Sequence, residues 1–144
     1  MLKQLITVNL CLAFFTISMF AQNSCRQVDS LTLVELQNNL TFKSEFEWDL
    51  DKSMDTWHGV TLDYGGCVQR IDLTDNGLTG NIPNVTLTNL ELLVLEENEI
   101  TSIETLNQMP ELLAFSVYDN EITGAVPNFD LPALQILFVS FNQF

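Results

Sequence analysis

Four copies of one apolar pattern organise the second part of the chain. Counting the first residue of a copy as offset 1, apolar residues recur at offsets 1, 4, 6 and 11, and asparagine stands at offset 9. The copies begin 22 residues apart, at Val68, Leu90, Leu112 and Leu134. The apolar residues at offsets 4 and 6 alternate along the chain with the residues at offsets 5 and 7. A repeat at every second residue is typical of a short strand that is buried on one face. One coil cannot bury its own apolar edge, so the pattern predicts coils that stack into a solenoid.

The asparagine at offset 9 follows each predicted strand, where the chain turns away. An amide side chain can bond to backbone groups at such a turn. In stacked copies these amides would form a ladder that satisfies buried main-chain groups between coils. The predicted ladder comprises Asn76, Asn98, Asn120 and Asn142.

The pattern L-x-x-L-x-L-x-x-N-x-L resembles that of the leucine-rich-repeat family, and it runs through residues 68–144. The resemblance implies an α/β solenoid with short parallel strands on its concave face and an amino-terminal cap. Residues 78–83 and 122–127 are similar to the L-x-G-x-I-P segment of plant-type repeats. Residues 100–109 are instead similar to the short bacterial style, so the repeats are expected to be a hybrid.

Residues 22–67 carry no repeat, and we expect them to cap the first coil. Thr32 and Glu35 have the spacing of a capping box, with Asp29 and Ser30 as candidate N-cap residues, so a helix is predicted to begin here. That helix would present one apolar face, formed by Leu33, Leu36 and Leu40.

The segment that precedes the repeats resembles a plant-type cap. Residues 57–61 are similar to its W-x-G-V-T motif. Val60 to Leu62 should then form a strand, which a turn at residues 64–66 folds onto the first repeat as a hairpin. In that family two cysteines flank the motif closely, but here Asp55 and Leu62 occupy those positions, so the family's local bridge is absent.

The first 21 residues have the order of a secretory signal peptide. A positive charge is followed by an apolar run from Leu5 to Phe20 and then by the small residue Ala21. The run is shorter than the ~20 residues of a spanning helix, although retention as an uncleaved anchor is the alternative. We therefore expect a secreted or cell-surface chain whose mature part does not insert into a membrane.

Cysteine usage fits that compartment. Cys11 lies in the signal peptide, which leaves Cys25 and Cys67 as an even pair. An oxidising compartment favours a disulfide between them, and two free or intermolecular thiols are the alternative. We expect no zinc site, because His58 is the only histidine and no C-x-x-C motif occurs.

The net charge of −14 limits the partners. Such a chain repels phosphate backbones and anionic membrane surfaces, so nucleic acid is excluded as an expected partner. A protein or peptide ligand remains, with basic ones favoured, and a glycan is a second option. We find no catalytic constellation, phosphate loop or metal-ligand pair, and therefore expect neither an enzyme nor a cofactor.

The candidate binding residues lie at offsets 3, 5, 7 and 8, which point out of the concave sheet. Neighbouring strands are ~4.8 Å apart, so the acids at offset 8 should form a carboxylate row. Solubility, docking of a basic or polar partner, and a calcium site are three interpretations of that row. Aromatic side chains beside it are of the kind that anchor interfaces. The candidates are Asp72, Val94, Ser116 and Phe138 at offset 5, Thr74, Glu96 and Tyr118 at offset 7, and Asp75, Glu97, Asp119 and Phe141 at offset 8.

These features predict a recognition module that binds through its concave face. The alternative is a structural adhesin or assembly component that stacks through an open carboxy-terminal edge. The fourth copy stops at Phe144 in mid-repeat. Because solenoids need terminal caps, we expect the chain to be the leading piece of a longer repeat protein.

Overall fold

The computed structural model describes residues 25–43 and 46–144. The predicted signal peptide, residues 1–21, lies outside this range. Within the described residues no helix is both long and apolar enough to cross a membrane. The predicted stack of coils with short parallel strands is confirmed.

One helix, two sheets and a single 3-10 turn make up the regular structure of the described chain. The helix, α1, covers residues 25–39, and the 3-10 turn covers Met54–Thr56. The strands are β1 (Leu40–Thr41), β2 (Val60–Leu62), β3 (Val68–Asp72), β4 (Thr79–Ile82), β5 (Leu92–Val94), β6 (Glu99–Ile103), β7 (Ala114–Ser116) and β8 (Ile136–Phe138).

The main sheet has the order β2-β3-β5-β7-β8. The hairpin of β2 and β3 is antiparallel, as predicted, and the later pairs are parallel. The register sets Asp72 opposite Val94, Val94 opposite Ser116 and Ser116 opposite Phe138. Residues at one offset of the repeat therefore form a straight column across the sheet.

A second sheet, β1-β4-β6, lies on the other side of the coils. Gly80 in β4 sits directly opposite Leu40 in β1, with a φ of +110°. A Cβ at Gly80 would lie 2.4 Å from the carbonyl oxygen of Asn39, so only glycine allows the cap strand to pair this closely. The repeats have extended segments here, and the α-helix of the described chain belongs to the cap.

The core lies between the two sheets and is formed by the apolar offsets of the repeat. All twelve apolar positions of the first three copies are at most 2% exposed. In the fourth copy the equivalent Leu137 and Phe144 are each 39% exposed, because β8 is the edge strand of the main sheet.

The expected start of the cap helix was wrong. The chain is already helical at residue 25, so Asp29 and Thr32 lie within α1 rather than at its start. Asp29 Oδ2 instead accepts a hydrogen bond from the backbone N–H of Val68 at 2.8 Å, and Thr32 Oγ1 donates to the Thr86 carbonyl at 3.2 Å. These two hydrogen bonds join α1 to the coils, and the local capping pattern does not predict them.

The asparagines at offset 9 join successive coils. Asn98 Oδ1 accepts from the backbone N–H groups of Asn76 at 3.1 Å and Leu78 at 2.9 Å in the preceding coil. Its Nδ2 donates back to the Leu73 carbonyl at 2.9 Å and to Leu95 in its own coil at 3.1 Å. One amide therefore satisfies buried backbone groups of two coils at once.

The same exchange recurs along the stack. Asn120 Oδ1 accepts from Ile100 N–H and Asn142 Oδ1 from Ile122 N–H, each at 3.0 Å. Asn76, in the first coil, differs because its Nδ2 donates to Thr74 while its buried Oδ1 has no hydrogen-bond partner among the described residues.

This difference gives a matched test of the ladder. We expect Asn98→Ala to lower the free energy of unfolding by about 3 kcal/mol, because it leaves several buried backbone groups unpaired. Asn76→Ala should cost only about 1 kcal/mol, since it removes one donated bond. Urea unfolding followed by circular dichroism measures both, and equal losses would contradict the proposed coupling between coils.

Cys25 and Cys67 form a disulfide that joins α1 to the residue before β3, with a sequence separation of 42. Closing a loop of this length restricts the unfolded chain. We therefore expect the Cys25→Ser/Cys67→Ser double variant to be less stable by about 4 kcal/mol in urea unfolding. Intact mass should rise by two hydrogens when the wild type is reduced, and an unchanged mass would refute the bridge.

Candidate functional site

The solvent side of the main sheet brings most of the predicted binding residues together. We call it the concave face and define it by offsets 3, 5, 7 and 8 of the four coils. Because the parallel strands are in exact coil-to-coil register, each offset becomes one column.

The chemistry of the concave face changes from coil to coil. The first coil presents Arg70, Asp72, Thr74 and Asp75. The fourth coil presents Ile136, Phe138 and Phe141, which are 48%, 54% and 69% exposed. Sequence reasoning had not singled out Ile136, although its offset 3 shares a face with offset 5. One end of the face is therefore charged and the other is apolar.

Glu96 is positioned by its neighbour in the next coil. Ser116 Oγ donates to Glu96 Oε1 at 2.6 Å, and Ser116 itself is only 4% exposed. Ser116 was expected to contact a ligand, but its burial gives it a supporting role beneath the carboxylate. Glu96 at offset 7 and Ser116 at offset 5 belong to neighbouring columns, and the relative depth of the two side chains depends on packing that the sequence does not show.

Two other predicted residues bond to each other. Asp72 Oδ1 accepts from the backbone N–H of Thr74 at 3.2 Å and from its hydroxyl at 2.8 Å. This local turn fixes the end of β3 and uses part of the hydrogen-bonding capacity of Asp72.

The offset-8 residues occupy a turn with left-handed backbone conformation. Asp75, Glu97, Asp119 and Phe141 have φ values of 53°, 54°, 54° and 57°. Aspartate tolerates this region better than glutamate or phenylalanine, for which it is strained. The three acidic side chains are exposed at the surface. The turn thus holds the acids of the predicted row at the rim of the concave face.

An aromatic pair connects the acidic and apolar parts of the face. The rings of Tyr118 and Phe141 meet edge to face, with centroids 5.0 Å apart. Such a contact stabilises both rings at an otherwise open surface. Tyr118 follows Ser116 on the third coil, so it lies between Glu96 and the apolar fourth coil.

The calcium interpretation gains no support from this geometry. Among residues 25–43 and 46–144, one group of three potential metal ligands has its donor atoms within 4.8 Å of one another, namely Cys25, Asp29 and Cys67. Two of these are joined in the disulfide. The offset-8 carboxylates therefore form a row rather than a converging cage.

A groove of about 610 Å³ lies on the cap, between α1 and the 3-10 turn. Its charged groups are already paired: Arg26 with Asp55 at 3.5 Å, and Lys52 with Asp49 at 3.1 Å. None of the predicted binding residues lines the groove, and its charged side chains form ion pairs within the cap.

No family model matches the chain, and a search of the curated proteins finds no match either. Solved structures do share its architecture. A chain of the BIR3–SERK2 complex from Arabidopsis thaliana is 22% identical with a TM-score of 0.66, over 79% of this chain and 69% of that one. The fold is that of a leucine-rich-repeat solenoid.

A second leucine-rich-repeat structure, PEPR1–AtPEP1, is also 22% identical, with a TM-score of 0.52. The match covers 79% of this chain but 21% of that one, so this chain spans a small part of the larger solenoid. At these identities the likeness establishes the fold alone.

Asp29 is a buried carboxyl group of α1, at 2% exposure. Burial raises its pKa above the usual 3.8; the Val68 N–H bond opposes this, and the charge of Asp63 adds to it. Since the folded-state pKa lies above the unfolded one, protonation stabilises the fold. That stabilisation is complete below pH 3.8 and is lost as pH rises through the folded-state pKa.

We therefore expect Asp29→Asn to be more stable than the wild type at pH 7. The amide oxygen can still accept the Val68 N–H, and no charge is buried. The gain should disappear at pH 3, where the wild-type carboxyl is protonated. Urea unfolding at both values measures it, and Asp29→Ala, which removes the acceptor, is the control. A neutral-pH loss in Asp29→Asn equal to that in Asp29→Ala would contradict this account.

Proposed function

We propose that this chain is a secreted or cell-surface recognition module whose concave face binds a protein or peptide ligand without catalysis. The observation that carries the proposal is the exposed cluster of Ile136, Phe138 and Phe141 on the same face as Glu96, whose carboxylate is held by Ser116. An exposed apolar patch rimmed by polar groups is typical of an interaction site.

Two further observations support the proposal. The two solved structures named above are both complexes, of BIR3 with SERK2 and of PEPR1 with AtPEP1. The Cys25–Cys67 disulfide fits an oxidising compartment, in agreement with a removed signal peptide at residues 1–21. We also propose that residues 22–67 are a plant-type cap and residues 68–144 hybrid repeats.

The ligand-binding residues would be the exposed members of the predicted columns. Glu96 is held in place by Ser116, and Tyr118 is held by Phe141, so both are presented in defined positions. Preorganised side chains of this kind lose little freedom on binding. A basic peptide or protein fits the acidic surface better than a neutral glycan does.

The second candidate is assembly through the edge strand β8. Leu137 and Phe144 occupy apolar core positions of the repeat but are each 39% exposed. In addition, an unpaired strand edge can template pairing with another chain. Self-association that rises with concentration in sedimentation-velocity experiments would favour this function over recognition.

The recognition function can be tested with a phage-displayed random peptide library panned on the disulfide-intact protein. We expect enriched peptides to bind Tyr118→Ala and Glu96→Gln at least about tenfold more weakly than the wild type, as is usual for hot-spot residues. Glutamine still accepts the Ser116 bond, so Glu96→Gln removes the charge and keeps the local structure.

Glu111→Gln is the matched control, because Glu111 is exposed but precedes β7, at the opposite end of the strand from the acidic row. Its binding should equal that of the wild type. Circular dichroism would verify that all variants fold. Enriched peptides that bind Tyr118→Ala as well as they bind the wild type would place the binding surface elsewhere and overturn the proposal.

A further inference from the structure

We infer that the ligand segment is an extended peptide with a cationic and an apolar side chain about three residues apart, lying along the solenoid axis. Its cation would sit over Glu96 and Glu97 in the second coil, and its apolar side chain over Phe138 and Phe141 in the fourth. This inference rests on the proposed function and adds the chemistry and direction of the ligand.

The charge of the face argues for a cation. Offsets 3, 5, 7 and 8 carry five carboxylates against one cation, Arg70, in the first coil. The ion pairs of the described residues, Arg26–Asp55 and Lys52–Asp49, both belong to the cap. A basic side chain reaching the second coil would therefore meet Glu96, Glu97 and Asp119. Charge complementarity of this kind increases both specificity and association rate.

The apolar end argues for a second, different contact. Three large side chains of the fourth coil, at offsets 3, 5 and 8, are about half exposed or more: Ile136, Phe138 and Phe141. Phe138 is in register with Ser116, so it belongs to the concave face and not to the core edge of the coil. An apolar ligand side chain would remove this surface from water.

The arrangement of the two ends fixes the direction of the ligand. Glu96 and Glu97 belong to the second coil and the exposed Phe138 and Phe141 to the fourth, so a ligand that uses both ends must cross the strands. Two strand spacings of ~4.8 Å separate the second coil from the fourth. A peptide in the extended polyproline-II conformation rises ~3.1 Å per residue with three residues per turn, so side chains three positions apart point to the same side. The cation and the apolar side chain are therefore about three positions apart in the ligand sequence.

Tyr118 lies between the two contacts and suits the stem of a long basic side chain. Its ring is fixed by Phe141, 5.0 Å away, and Glu96 is one coil before it. Lysine and arginine pack their apolar stems on such surfaces while their charge reaches a carboxylate. The ring can also make a cation–π contact with the head group.

The test uses fluorescein-labelled peptides of glycine and serine that contain one arginine and one leucine. The arginine and the leucine are placed one to six positions apart in the sequence, and affinity is measured by fluorescence polarisation. We expect the tightest binding at a separation of three, with an affinity about tenfold higher than that of the same peptide with glutamate in place of arginine. Affinity should also fall with rising salt, because the charged contact is near the surface.

Two variants separate the two contacts. Glu97→Asn combined with Glu96→Gln should abolish the preference for arginine over glutamate and keep the preference for leucine over serine. Phe141→Asn should do the reverse. Asparagine is well tolerated at the left-handed positions, so both proteins should fold. Glu111→Gln should change neither preference.

The outcomes distinguish this inference from the function on which it rests. Peptides that depend on Tyr118 but prefer glutamate to arginine, or show no preferred separation, would overturn the inference and leave concave-face recognition standing. Peptides that bind equally to wild type and Tyr118→Ala would overturn both. An optimum at a separation of three, lost selectively in the two variants, would support the inference.

Discussion

The whole structure depends on the bonds by which one asparagine amide serves two coils. A coil of 22 residues has too little core of its own, and its turns leave backbone groups buried. Asn98 and Asn120 accept backbone N–H groups of the coil before them and donate to its carbonyls. These bonds fix the separation and register of neighbouring coils. The straight columns of the concave face follow from that register.

The cap solves the same problem where there is no earlier coil. Its β2 strand supplies the main sheet with an antiparallel neighbour, and β1 does so for the second sheet. The disulfide and the buried carboxylate of Asp29 then tie α1 to residues 67 and 68, where the first repeat begins. The ladder itself is incomplete here, because Asn76 Oδ1 has no partner among the described residues. At the cap, the Asp29 hydrogen bond and the Cys25–Cys67 disulfide therefore replace the asparagine bonds that join the later coils.

The repeat could be predicted from sequence because each rule was local and recurred four times. Offsets identified the strands, the buried positions and the columns of the face. The role of Asp29 could not be found this way, since its partner Val68 is 39 positions away and the residue looked like a helix cap. Ser116 shows the same limit. Its offset predicted an outward side chain, but Glu96 from the previous coil covers it.

The left-handed turn after each strand keeps one backbone conformation in all four coils, although its side chain changes from acidic to aromatic. Glycine or asparagine would suit that conformation best, yet the four turns hold aspartate, glutamate, aspartate and phenylalanine. Glu97 and Phe141 therefore lower stability relative to asparagine at the same place. Strain of this kind is typical of functional positions. At Glu97 and Phe141 the side chain displayed on the rim is therefore combined with a strained backbone conformation.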